Sequence, residues 1–225
     1  MKKRNARLTL RKQEALEKKE KQKRNKKIAK ITAIVLACVI VVSAIATWIA
    51  LASRPYYAHI EIEGYGTIVV KLNDDEAPIT VNHFVGLAES GFYNGTTFFR
   101  VIENNLIQGG MPKDGKESTD FVTGEFERNG YENNVTHERG TITLTRKQGE
   151  PEEDFYNTGT TQFAILQRSQ PALDGAYAAF GMVVSGMEIV DKICAEVKPS
   201  DSSGTVPAAA QPVIKSITIT RSFEE

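Results

Sequence analysis

Two cysteines, three histidines and one tryptophan in 225 residues leave little material for redox or metal chemistry. Cys38 lies in an apolar run and Cys194 is alone in everything that follows, so the larger part of the chain has no internal disulfide available. Cys194 sits among apolar-periodic residues, where a buried, inert thiol is expected. His59, His83 and His137 are isolated from one another and from any Cys or carboxylate cluster, which argues against a metal site. No phosphate-cradling loop, dinucleotide fingerprint or Ser-His-Asp spacing is present, so no cofactor is implied. Charge of either sign is missing from Ile31 to Ser53. Those 23 residues, at about 1.5 Å per residue, span roughly the 30 Å of a bilayer core.

The net charge of zero conceals a division around that run. Residues 1–30 hold 14 Lys or Arg against Glu14, Glu17 and Glu20, while residues 54–225 hold 14 bases against 25 acids, a net of −11. The sequence therefore predicts a basic cytoplasmic arm over 1–30, a single-pass transmembrane signal anchor over 31–53 with lipid bilayer as its partner, and an extracytoplasmic domain over 54–225 at the cell membrane, with Trp48 near the outer interface. Three other readings compete: a cleaved signal peptide with Ala50-Leu51-Ala52 as its site, although the run exceeds the usual h-region, a faint lipoprotein-like Val35-Leu36-Ala37-Cys38, and a soluble buried helix, which this length and flank disfavour. The arm lacks Pro and Gly and is expected to turn helical near anionic headgroups. It has no aromatic residue to stack on bases, so no nucleic-acid partner is expected. A monomer is the expectation.

Beyond a short Ser53-Arg54-Pro55 junction, Ala58, Ile60 and Ile62 alternate with polar residues, Gly64-Tyr65-Gly66 makes a turn, and Thr67–Leu72 returns as a hairpin. Pro78 to Ser90 reads as a helix with Val81, Phe84, Val85, Leu87 and Ala88 on its apolar face, and Gly186 to Glu196 as a second. Short strands are predicted at Phe98–Ile102, Leu106–Gln108, Thr141–Thr145, Gln162–Leu166, Tyr177–Val184 and Val213–Thr220. The pattern predicts a mainly β domain: a closed eight-stranded antiparallel barrel capped by two helices. Two loops, Lys147 to Thr160 with its acidic run and Lys198 to Pro212, rich in Ser, Ala, Gly and Pro, are expected to be exposed and mobile.

Phe98-Phe99-Arg100-Val101-Ile102, followed by Leu106-Ile107-Gln108-Gly109-Gly110, places a permanent cation and a carboxamide in an apolar, strand-rich setting. With Thr161-Gln162-Phe163-Ala164-Ile165 and Ala172-Leu173-Asp174-Gly175, these segments resemble the cyclophilin family of peptidyl-prolyl cis/trans isomerases, over about Tyr57 to Thr220. The resemblance implies a cyclophilin-like barrel acting on proline-containing polypeptides, in the folding of secreted or surface proteins. It implies Arg100 as the catalytic residue, and substrate contacts from Gln108, Gln162, Leu106, Leu173, Tyr177, Phe99, Ala164, Thr145 and Arg146, the last through its backbone. Rotation about an X–Pro bond faces a barrier of roughly 18–20 kcal/mol set by amide resonance. It needs an apolar slot, a donor near the prolyl nitrogen and groups that hold the flanking carbonyl, an inventory that Arg100, Gln108 and Gln162 supply.

Departures from the family share a direction. Asn105, Ala164 and Ala172 stand where the pattern has aromatics, and each lost wall costs about 1–3 kcal/mol of apolar contact. Phe155 and Tyr156 are the residues expected to rebuild that wall. The alternative function is a non-catalytic peptide-binding or chaperone module on the same scaffold.

Overall fold

A computed structural model describes residues 2–52, 55–116 and 118–223, with side chains from 16 to 47 in the first of these stretches. The chain divides into two units, Met1–Arg54 and Pro55–Glu225.

In the first unit a single helix, α1 (Lys2–Ala52), runs without interruption through the basic arm and the apolar run. Neither Pro nor Gly breaks it, and Thr32, Ser43 and Thr47 return their hydroxyls to backbone carbonyls three or four residues earlier, which removes their polar cost. Leu16–Thr47 is long and apolar enough to cross a membrane, with a mean hydropathy of 2.6 in its best window, a test that a signal sequence also passes. The side chain of Trp48, with its expected interfacial role, and the Ser53-Arg54 junction lie outside the described residues.

The second unit is built on eight antiparallel strands: β1 (Tyr57–Ile62), β2 (Gly66–Leu72), β3 (Phe98–Ile102), β4 (Leu106–Gly109), β5 (Thr141–Leu144), β6 (Phe163–Leu166), β7 (Ala179–Ser185) and β8 (Ile214–Thr220). Their order is β3-β4-β6-β5-β7-β2-β1-β8. The predicted closed barrel is corrected to an open, curled half-barrel, because β3 and β8 are not joined by a ladder. Across that seam run an isolated bridge between Thr97 and Val213 and backbone bonds such as Phe98 N to Pro212 O at 2.9 Å. Beyond that bridge the β3 edge is taken up by residues 204–206 instead, with Val101 N donating to the Gly204 carbonyl and Val206 N to the Phe99 carbonyl.

Helix α2 (Pro78–Glu89) packs over β8, burying Val81, Phe84, Val85 and Ala88, while α3 (Met187–Glu196) lies over β2, β3 and β4 with Ile189, Val190, Ile193 and Cys194 inward. Helix α2 opens on Pro78 and has no cap from its own sequence. Glu125, 2% exposed, supplies one from a distant loop, its two carboxylate oxygens accepting from Ile79 N (2.9 Å) and Thr80 N (2.7 Å). Phe84 centres the core, with the rings of Tyr93, Phe163 and Phe180 at 5.2–5.5 Å. Burial pushes the Cys194 thiol up to about 12, so the thiolate is scarce near neutral pH.

Candidate active site

One face of the sheet carries the candidate site, and register places it. Arg100 on β3 faces Gln108 on β4, Gln108 faces Ala164 on β6, and Ala164 faces Thr143 on β5. Directly opposed residues on antiparallel strands share a face, so these four form a row across four strands. Gly110 explains why the β4 segment ends as it does. Its φ is +83°, and a Cβ there would meet the Thr161 carbonyl at 2.6 Å. Glycine alone accepts that conformation at this approach, which brings Thr161 Oγ1 within 2.8 Å of the Gly110 carbonyl and ties β4 to the start of β6.

The row borders a cavity of about 570 Å³. Arg100, Leu106, Gln108, Thr145, Arg146, Ala164, Leu173 and Tyr177 line it. Gln162 lines a smaller adjoining cavity of about 100 Å³ and reaches the first one through Gln108. Phe99 lines neither, and its backbone carbonyl instead accepts from Val206 N at 2.8 Å. Five further residues line it, of which Asn105 stands at a groove position of the family pattern and Thr143, Gln148, Gln170 and Ser203 do not. Register with Ala164 was a usable signal for Thr143, whereas Gln148, Gln170 and Ser203 arrive on loops that carry none.

The polar groups are chained. Arg100 Nη1 donates to Gln108 Oε1 at 3.0 Å, and Gln108 Nε2 donates to Gln162 Oε1 at 3.0 Å. This orientation leaves the amide of Gln162 free to donate, and the remaining N–H groups of Arg100 are not taken up by Gln108. Leu106, Ala164, Leu173 and Tyr177 form the apolar part of the lining.

The surroundings of Arg146 add a role for its side chain that is separate from the backbone contact the resemblance implies. Its side chain is 4% exposed and lies over the rings of Tyr177, Tyr156 and Phe126, with centroid distances of 4.5, 5.3 and 5.6 Å. Its Nη2 pairs with Glu152 at 2.6 Å, and its Nε donates to the Ala176 carbonyl at 3.1 Å. The predicted aromatic replacements turn away from the cavity: Tyr156 packs edge-on against Phe126 at 5.2 Å, and the Phe155 ring lies against Gly149. Gln148 donates to the Tyr177 hydroxyl, so Tyr177 is fixed at both its ring and its oxygen.

Behind the floor of the cavity, His137 and Asp174, 37 positions apart, meet. His137 Nδ1 lies 2.9 Å from Asp174 Oδ1 and Nε2 lies 3.2 Å from Thr143 Oγ1, although the sequence offered only an isolated histidine and a turn aspartate. Burial holds the imidazole below its ordinary value of 6.5, and the Asp174 carboxylate opposes this only in part. The unfolded ring therefore takes a proton near 6.5, at a pH where the folded ring still resists it. Stability from the neutral, buried ring is complete above that value and is lost as pH falls through it toward the folded value. Thermal melts from pH 7 down to 5 are expected to show a falling Tm, with a shallower slope in His137→Gln; equal slopes in the two proteins would remove His137 as the cause. Among the described residues no three His, Cys, Asp or Glu side chains converge to hold a metal ion.

Comparison with known proteins identifies the family and the fold. Residues 57–221 match the family model for cyclophilin type peptidyl-prolyl cis-trans isomerase/CLD. Peptidyl-prolyl cis-trans isomerase A of Dickeya dadantii is 40% identical over 134 residues, covering 57% of this chain and 66% of that protein, just short of two thirds of its length. Peptidyl-prolyl cis-trans isomerase B of Escherichia coli is 38% identical over 137 residues, covering 57% of this chain and 79% of the relative. A crystal structure of a cyclophilin type peptidyl-prolyl cis-trans isomerase from Cryptosporidium parvum superimposes with a TM-score of 0.61 at 27% identity, covering 74% of this chain and 98% of that one. The same protein was also solved in the presence of the dipeptide Ala-Pro. Fold, strand register and sequence model converge: this chain belongs to the cyclophilin-type peptidyl-prolyl cis-trans isomerase family.

Proposed function

We infer that the 54–225 domain isomerises X–Pro bonds in polypeptides outside the cytoplasm, held at the membrane by the helix that precedes it. The observation that carries the chemistry is the Arg100–Gln108–Gln162 chain along the cavity. As the X–Pro bond twists, resonance is lost and the prolyl nitrogen regains its lone pair. A guanidinium donating to that nitrogen stabilises the twisted state more than the planar one, which lowers the barrier without a nucleophile or a metal. Gln108 holds the guanidinium, and Gln162 offers its amide to a flanking substrate carbonyl. Leu106, Ala164, Leu173 and Tyr177 receive the proline ring, and Thr145 with the Arg146 backbone borders the peptide. The apolar run of 23 uncharged residues behind a basic flank supports the membrane placement and the service to secreted or surface proteins.

The slot is poor in aromatics. Tyr177 is its one ring, with Asn105 and Ala164 in the lining where the family pattern has aromatics. A weaker grip on proline follows, and the rate on small peptides is expected to be modest. The test is NMR exchange on an Ala-Pro peptide with the full-length protein in detergent. Accelerated exchange is expected. Binding without acceleration by the folded protein would make this a peptide-binding or chaperone module instead.

A further inference from the structure

The segment Asp201–Thr205 belongs to a loop that sequence reasoning treated as exposed and mobile, yet its backbone reaches Arg100. Arg100 Nε donates to the Ser203 carbonyl at 2.7 Å while Nη1 donates to Gln108 Oε1 at 3.0 Å. A planar guanidinium held on two of its edges has a fixed plane. The Gln108 edge is secured by Gln162. The Ser203 edge is secured by a carboxylate: Asp201 Oδ1 accepts from Ser203 Oγ at 2.6 Å, Ser203 N at 2.9 Å and Thr205 N at 3.1 Å.

The same segment docks on β3. Val101 N donates to the Gly204 carbonyl and Val206 N to the Phe99 carbonyl, each at 2.8 Å. Gly204 has φ +88°, and a Cβ there would stand 2.5 Å from Ile102 Cγ1 and 2.8 Å from the Val101 carbonyl. Only glycine lets the strip lie this close to the strand that carries Arg100. The Ser203 hydroxyl, then the Thr205 N–H, hold the Asp201 carboxyl down to about 2, so it remains an acceptor throughout the physiological range.

We propose that Asp201 is a positioning residue of the isomerase: its carboxylate fixes the Ser203 carbonyl, and that carbonyl sets the plane in which Arg100 meets the prolyl nitrogen. This rests on Arg100 being the electrostatic catalyst. Asp201 itself touches neither the substrate nor the reacting bond. Removing its carboxylate frees one edge of the guanidinium, and misplacement of a catalytic group lowers turnover without a matching loss of binding.

The experiment uses the full-length protein in detergent, with Asp201→Ala, Asp201→Asn, Arg100→Ala and the double variant Asp201→Ala/Arg100→Ala. Ala-Pro exchange gives kcat, peptide titration gives Kd, and the Arg100 Nε–H resonance, assigned by its loss in Arg100→Ala, reports the bond to Ser203. In Asp201→Ala, kcat is expected to fall roughly tenfold with Kd within about twofold, and the resonance to move to the position of a solvated arginine. Asp201→Asn retains an oxygen acceptor and is expected to restore both. In the Arg100→Ala background the Asp201 substitution is expected to cost nothing further, because the group it positions is gone. An equal loss in both backgrounds, or an unmoved resonance in Asp201→Ala, overturns the proposal. Arg100→Ala with full turnover overturns the parent reading of Arg100 instead, and the resonance still decides whether Asp201 holds the guanidinium.

Discussion

Arg100→Ala is expected to lower kcat/KM on an Ala-Pro peptide by roughly 10²–10³-fold, the usual cost of deleting one preorganised donor at a site of developing charge. The loss should fall on kcat, with peptide affinity little changed, because the guanidinium meets a nitrogen that accepts well only after resonance is broken. Arg100→Lys keeps the charge but cannot hold Gln108 Oε1 and the Ser203 carbonyl on two edges of one plane, so it should recover only part of the rate. Thermal stability should change little, since Arg100 is only partly buried on an edge strand. Full turnover by a folded Arg100→Ala protein would falsify the electrostatic role and move the chemistry elsewhere along the cavity.

Arg146→Ala is expected to cost stability rather than chemistry, about 2–4 kcal/mol, from the lost packing of a buried side chain, its contacts with three rings and its hydrogen bond to Ala176. At about 2–4 °C per kcal/mol for a domain of this size, Tm should fall by roughly 10 °C. Three rings lose the cation between them, the Ala176 carbonyl loses a donor, and Glu152 is left with Arg128, whose Nη1 lies 3.3 Å away. Arg146→Lys should rescue poorly, because a lysine cannot lie flat over Tyr177 while also donating to Ala176 and Glu152. Glu152→Gln should cost far less, about 1 kcal/mol or below, because that carboxylate is 39% exposed. Differential scanning calorimetry of the full-length variants measures all three. A Tm shift of Arg146→Ala no larger than that of Glu152→Gln would mean that the stacked guanidinium contributes nothing beyond its ion pair.

Much of this molecule is legible because local rules are strong where they apply. Alternation placed β1 and its return in β2, Pro78 opened α2, and most apolar positions of α2 and α3 are buried, although Ile79 is exposed and the polar Thr80 is buried in its place. Arg100, Gln108 and Ala164 could be read together because they sit on short strands in a motif with fixed spacing. The strand and helix signals depend only on residues near one another in sequence, where the period of the backbone dictates which side chains share a face, whereas the grouping of Gln108 with Ala164 rested on the family resemblance.

Whether the barrel closes, and what surrounds the groove, depended on distant pairings. The open seam between β3 and β8 depends on the distant 204–206 segment taking up the β3 edge. Glu125 caps α2 from more than 40 residues away, and His137 meets Asp174 across 37. The burial of the Arg146 side chain depends on Phe126, Tyr156 and Tyr177 converging on it from three segments. The Ser203 carbonyl is a backbone atom, identical in every residue type, so no side-chain pattern could mark it as a partner of Arg100. By itself, then, the sequence determined the strands, the helices and the division of charge, because these follow from local periodicity and composition, while Arg100 was marked only by the family motif around it. Only the tertiary structure decided which loops hold that cation and which arginine is buried, because a hydrogen bond between distant segments leaves no periodic trace in either of them.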